Sequence, residues 1–462
     1  MENYNFWDYE VWGSILVFAV LLVALLAGNV LKKSIPLLQR SLIPTSVLGG
    51  AVLLIVAAIF KAITGEVMFD TAIFGGKGTA VLETLTYHTL ALGFIASSLK
   101  TSGGKLTKKR SIEVFNTGVT TVSTYLLQGV FGLGITLIAA LVLPGFFEAA
   151  GVLLPFGYGQ GTGQALNYGN IYQDMGFEGG RSFGLTIAAL GFLSAAIGGV
   201  FHLNIQKKRG KLVLSESHEE TISPEEIQGK NEIPMQESID KMTVQFALIG
   251  VAYLVTYLLM FVLGSVVGEG LRATIYGFNF LLGVLSATLV KLILNFFRNK
   301  NVIKKEYTNN FLLTRVSNFF FDIMVIAGVA AIRLDALENY WGVILILGVV
   351  GLVITYIYNR IVAKLLFPRY KEEQFLMMYG MLTGTASTGT ILLREVDGDF
   401  KTPAADNMVY QNFPAIVFGF PMMFLATMAP SKPVLTFVIF VLFFLVMNVI
   451  LFRSFLFKKR KK

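Results

Sequence analysis

The chain contains no cysteine, so disulfides, thiolate metal ligands and thiol nucleophiles are excluded. Only three of its 462 residues are histidine. There is no His-Glu-x-x-His zinc motif and no phosphate-cradling Gly-Lys-Ser/Thr loop. The reading is a non-enzyme with no catalytic residues and no cofactor. Charge is also scarce. Charged residues make up 15% of the chain, against about a quarter in a soluble domain. Too little charge to solvate a surface, with 54% hydrophobic residues, points to a polytopic membrane protein in a lipid bilayer. The net charge of +9 does not indicate nucleic acid, because the basic residues cluster in short loops between apolar runs. The acidic, aromatic N-terminus lacks the basic region and cleavage site of a signal peptide, so the first apolar run is expected to remain as a helix.

About 20 apolar residues cross the hydrocarbon core. Eleven candidate spans satisfy this: residues 11–31, 43–60, 79–99, 112–143, 182–203, 242–267, 272–294, 311–332, 341–365, 403–428 and 434–457. Residues 205–240 are polar, first basic and then acidic, and read as a cytosolic, poorly ordered linker. They separate a first transmembrane repeat (1–204) from a second (241–428), and 429–462 adds an extra helix and a basic tail. Lys and Arg lie after spans one, three and five, at 298–305, at 364–371 and at the C-terminus. The positive-inside rule makes these loops cytosolic and puts loops 61–78, 334–339 and 430–433 outside. The N-terminus is then outside and the C-terminus inside.

Two stretches do not read as ordinary membrane helices. One is Leu154-Pro155-Phe156-Gly157-Tyr158-Gly159-Gln160-Gly161-Thr162-Gly163-Gln164, within 149–174. The other is Met381-Leu382-Thr383-Gly384-Thr385-Ala386-Ser387-Thr388-Gly389-Thr390, within 373–396. Alternating glycines disfavour a continuous helix. Unpaired backbone at membrane depth is tolerated only in a protein interior or at a watery cavity. Under the charge bias the first segment enters from outside and the second from the cytosol, so the halves are inverted. Paired interrupted segments mark the binding site of secondary transporters. Free amides at half-helix N-termini suit a carboxylate, and unwound carbonyls with hydroxyl and amide oxygens suit Na⁺. The candidate binding residues are Gly159, Gln160, Gly161, Thr162, Gly163, Asn167, Thr385, Ser387, Thr388, Gly389, Asn407 and Asn412, with Asn318 and Asp322 one turn apart on a later span. The Na⁺ candidates are Thr162, Ser387, Thr388 and Asp322. Arg315 is an alternative, purely structural partner for Asp322. His88 reads as a packed residue, and Arg181 and Arg394 as charges reaching the interface.

The chain resembles the bacterial glutamate:sodium symporter family. The resemblance rests on Ile43-Pro44-Thr45-Ser46-Val47-Leu48-Gly49-Gly50, on Gly159-Gln160-Gly161-Thr162-Gly163 and on Gly384-Thr385-Ala386-Ser387-Thr388-Gly389. It implies an all-α fold of two inverted five-helix repeats, each with a re-entrant loop, and here one extra C-terminal transmembrane helix. It also implies Na⁺-coupled uptake of glutamate across the bacterial inner membrane, and a homodimer. The family's first loop typically reads Gly-Gly-His-Gly-Thr, and Gln160 stands at the histidine position. The expected partners are a small anionic substrate, a sodium ion and lipid. A proton-coupled carrier of another organic anion and a re-entrant-loop ion channel are the rival readings.

Overall fold

The computed structural model describes residues 5–101, 107–209, 227–229, 231–235, 238–266, 272, 275–398 and 401–456, apart from the Ser387 side chain. Among these, long helices dominate and no multi-residue strand occurs. In chain order they are α1 (Tyr9–Ser34), α2 (Thr45–Thr64), α3 (Gly78–Leu99), α4 (Lys108–Val142), α5 (Leu153–Asp174), α6 (Gly180–Lys208), α7 (Lys241–Val266), α8 (Asn279–Asn299) and α9 (Asn310–Ala330). They continue with α10 (Trp341–Leu366), α11 (Lys371–Thr383), α12 (Ala386–Arg394), α13 (Pro403–Tyr410), α14 (Asn412–Met428) and α15 (Pro433–Leu451).

Nine of the described helices are long and apolar enough to cross a membrane, or ten if α13 and α14 form one span. This is the architecture of an all-α, multi-pass membrane protein. Eleven spans were expected. The one outside this set is α3, a helix carrying Glu83 and His88 among small and hydroxyl residues. The run 403–428 is not one straight helix, since α13 and α14 meet at a 45° bend. Pro414 explains the break: its ring displaces the carbonyl of Tyr410 and it has no N–H to donate. The run 272–294 is not one continuous helix: a turn at Phe278 separates the helical residues 275–277 from α8, which begins at Asn279. That buried side chain anchors the helix start by donating to the Tyr87 carbonyl at 3.0 Å.

The chain forms two compact units that interleave along the sequence. The first comprises Met1–Glu83, Leu106–Ser217 and Val325–Lys462, and the second Thr84–Lys105 and His218–Met324. In the second unit, Ile95, Leu99, Ile249, Ala252, Ala287 and Val316 make one apolar core. The described residues of the expected linker that fall in this unit are anchored there. Ile233 N donates to Glu306 O at 3.1 Å, and the fully buried Lys241 places Nζ 2.6 Å from Glu232. Glu232 is held below the ordinary carboxylate range. Its burial works against this, but hydrogen bonds from Lys241 and Asn309 prevail. Residues 210–226, 230, 236 and 237 of the expected linker lie outside the described residues.

In the first unit, α5 and the α11–α12 pair double back on themselves. The α5 segment runs as two legs joined at Gly161, whose φ of 74° and ψ of −169° are open essentially to glycine alone. The rings of Phe156 and Tyr168, one on each leg, stack at 3.7 Å. Further from the turn, Phe147 and Tyr172 lie at 5.5 Å. A straight helix would hold residues 147 and 172 more than about 30 Å apart. The second hairpin turns at Gly384–Thr385, and a Cβ on Gly380 would lie 2.9 Å from the Cα of Gly389 on the returning leg.

Helix α10 ties the two hairpins together. Just before its start, Tyr340 packs its ring against Phe146, Phe177 and Phe183 at the base of the first hairpin. Near its end, Arg360 makes a two-pronged ion pair with Glu372 at the base of the second, at 2.7 and 2.8 Å. The hairpins therefore start from opposite ends of one helix and point toward its middle.

Candidate functional site

The two tips meet where α6 presents Gly191. A Cβ there would collide with the Thr383 carbonyl and lie 3.2 Å from the Cα of Tyr158. Gly191 itself brings no side chain to this point, so the glycine permits the approach of both backbones. The middle of α10 braces both tips. Tyr158 OH donates to the Gly348 carbonyl at 2.6 Å and shares a hydrogen bond with Ser194 at 2.8 Å. From α4, Tyr125 OH donates to Gly159 O at 3.0 Å, and Gln128 Nε2 donates to both Thr355 Oγ1 (2.8 Å) and Leu382 O (2.9 Å).

Both turns carry the same backbone chemistry. Each first leg ends in carbonyls and each second leg begins with helix N-terminal amides, starting at Thr162 and Ala386. The first favours a cation and the second an anion. Gln164, three residues past the first turn, is 1% exposed, and neither its Nε2 nor its Oε1 has a hydrogen-bond partner among the described residues. An amide of this kind carries donor and acceptor capacity at a buried point beside two helix termini.

Most of the candidate residues fall at these turns. Gly159, Gln160, Gly161, Thr162 and Gly163 form the first. Thr162 is fully buried, with its Cβ 2.6 Å from where a Cβ on Gly328 would sit. Asn167 follows on the returning leg, 7% exposed. At the second turn, Thr385 and Thr388 bring their hydroxyls to 3.5 Å, and Gly389 lets the legs close. The Ser387 side chain lies outside the described residues. Asn407 is elsewhere: it donates to Tyr370 OH (3.1 Å) and Gln374 Oε1 (3.0 Å), at the second hairpin's base and not its tip. Asn412 is exposed and accepts from Gln411 at 3.1 Å. Asn318 and Asp322 belong to the second unit, exposed on one face of α9. On that helix the Arg315 guanidinium sits 5.0 Å over the Phe311 ring.

Several residues at the tips were not among the candidates: Tyr125, Gln128, Tyr158 and Thr355. Gln128 carried a readable signal, since a glutamine inside an apolar run of this length is costly unless it is used. Gly180-Arg181-Ser182-Phe183-Gly184 has the spacing of a nucleophile elbow, but Ser182 lies in the first turn of a long helix, where its hydroxyl accepts from Arg333 N at 2.9 Å.

At the end of the first unit that holds the first hairpin's base lies an open cavity of about 440 Å³, lined by Asp70, Lys77, Glu83, Arg181 and Arg333 among others. Arg181 pairs with Glu83 at 2.9 Å, and Arg333 lies 3.9 Å from Asp70. Lys61 reaches Asp335 at 2.8 Å. The loops 61–78 and 334–339, read as lying on one side of the membrane, thus meet at one end. Burial alone would raise the Asp335 carboxyl, but hydrogen bonds from Arg333 and Lys61 hold it down at about 2.

Among the described residues, no group of three or more His, Cys, Asp or Glu could hold a metal ion. Comparison of the chain with protein-family models and with curated proteins returns no match.

Proposed function

We propose that this chain is a secondary active transporter of the bacterial inner membrane that couples Na⁺ entry to uptake of glutamate or a related acidic amino acid or carboxylate. One observation carries the reading: two doubled-back helices, starting from opposite ends of α10, bring their turns together beside the unpartnered buried amide of Gln164. The turns supply amides for an anion and oxygens for a cation at one buried place, which is what a coupled site needs. The hairpins act as re-entrant loops of two inverted repeats, the first entering from outside and the second from the cytosol. The outer cavity carries three cations against two carboxylates and draws anions toward the first hairpin. Rigid displacement of the hairpin-bearing part against the rest would give alternating access. Asn318 and Asp322 remain candidates for the ion path, and a homodimer is the proposed assembly.

The test is uptake of labelled glutamate into proteoliposomes under an inward Na⁺ gradient, with unlabelled carboxylates as competitors. Saturable accumulation that collapses with the gradient is the expected result. Transport indifferent to both Na⁺ and H⁺ gradients would refute coupling, and ohmic currents would replace the carrier with a channel.

A further inference from the structure

Helix α4 carries a buried polar seam down one side: Asn116, Thr117, Thr120, Thr121, Thr124 and Gln128. The threonines at 120, 121 and 124 satisfy their hydroxyls by bonding back four residues along the same helix. Two amides at the upper end of the seam are different. Gln128 Nε2 donates to Thr355 Oγ1 and to Leu382 O, at 2.8 and 2.9 Å. Asn359 Nδ2 donates to Thr355 O at 3.0 Å and to Thr124 Oγ1 at 3.4 Å. Both side chains are 0% exposed, yet Gln128 Oε1 and Asn359 Oδ1 have no hydrogen-bond partner among the described residues.

The orientation of each amide is set by its neighbours. Leu382 O and Thr355 O are carbonyls and can only accept, so each amide must turn its nitrogen toward its carbonyl and its oxygen away. The two amides are joined through Thr355, one bonding its hydroxyl and the other its carbonyl. Burying two acceptors unmet costs free energy, and apolar residues of similar shape would pack the same helices without that cost.

We infer that the unmet oxygens of Gln128 and Asn359, on the two amides that Thr355 joins, contribute to a monovalent-cation site. Amide oxygens are hard, neutral donors suited to an ion of charge +1. The absence of any acidic cluster among the described residues argues against a divalent ion. Gln128 also holds the Leu382 carbonyl, at the end of the second hairpin's first leg, so a cation polarising that amide tightens its grip on the hairpin tip. The site rests on the coupling-ion part of the proposed function and adds residues that the glycine-rich turns do not contain.

The experiment is thermal unfolding of the purified full chain in detergent, titrated with NaCl against choline chloride at constant ionic strength. The wild type should be stabilised by Na⁺. Asn359→Asp keeps the shape and adds a negative charge, and should lower the half-saturating Na⁺ concentration about tenfold. Gln128→Met removes the amide and should raise it at least tenfold. Wild-type titrations in both variants overturn the site. If Gln128→Met does not fold, an unshifted Asn359→Asp titration overturns it alone. A wild type indifferent to Na⁺ that still accumulates glutamate under a proton gradient overturns the Na⁺ site and leaves the carrier. A Na⁺ response lost in Gln128→Met, with no uptake of any carboxylate, sustains the site and refutes the carrier.

Discussion

Gly191→Ala is the most direct probe of where the two hairpins meet. The added methyl would overlap the Thr383 carbonyl and lie 3.2 Å from the Tyr158 Cα. Both obstacles are backbone, so neither can rotate away as a flexible side chain would. Overpacking of a tight interior costs about 1–3 kcal/mol. At about 1.4 kcal/mol per factor of ten, the arrangement with touching tips becomes about 5- to 150-fold less populated. Thermal unfolding in detergent should show a lowered midpoint, and proteoliposome uptake a raised half-saturation at normal expression. The control is Gly250→Ala on α7, where a Cβ meets nothing within 4 Å. That substitution should be neutral or slightly stabilising, because alanine is the better helix former. A Gly191→Ala protein with unchanged midpoint and unchanged half-saturation would refute the close meeting of the turns.

Gly161→Ala forces a side chain into φ of 74° and ψ of −169°. It should cost about 1–3 kcal/mol, read as a fall in unfolding midpoint. Thr162→Val and Thr388→Val keep shape and remove one oxygen each, so the Na⁺ concentration for half-maximal uptake should rise; wild-type Na⁺ dependence in both would remove them from the ion site. Arg360→Ala leaves Glu372, whose side chain is 11% exposed, with the His202 imidazole as a remaining hydrogen-bond partner at 2.8 Å. It should destabilise the protein by about 3 kcal/mol, and Arg360→Ala with Glu372→Ala should recover part of the loss in the same unfolding assay. Asp335 titrates at about 2 in the folded protein, below its unfolded value of about 3.9. Its contribution is therefore complete above about pH 5 and lost as pH falls toward 2, and Asp335→Asn should flatten that part of the stability–pH curve.

The hairpins were legible because glycine and proline report on backbone directly. The Gly159–Gly163 and Gly384–Gly389 patterns sit at the two turns. Lysine and arginine placement put loops 61–78 and 334–339 on one side, and these loops meet through Lys61, Arg333 and Asp335. The residues bracing the tips were harder to see. Gln128, Thr355 and Tyr125 are remote in sequence, and only packing shows that α4 and α10 present them to the same point. Asn407 misled for the opposite reason: a polar cluster beside the second turn in sequence lies at the hairpin's base, because α13 packs along the legs. The interleaving of the two units depends on long-range contacts, which local pattern does not encode. The bend at Gln411 was in principle readable from Pro414.

Helix α10 has 26 residues, a length of about 39 Å, and it meets the hairpins at fixed stations: a base at Tyr340, tips at Gly348 and Thr355, and the other base at Arg360. It works as a ruler set across the bilayer. One residue inserted between Gly348 and Thr355 would swing one station about 100° away from its hairpin while leaving the other in place. The same ruler ties the height of the tips to membrane thickness. Lipids with shorter or longer acyl chains tilt a helix of fixed length and shift both tips together, so the hydrocarbon depth of the host membrane becomes an input to the working of the site.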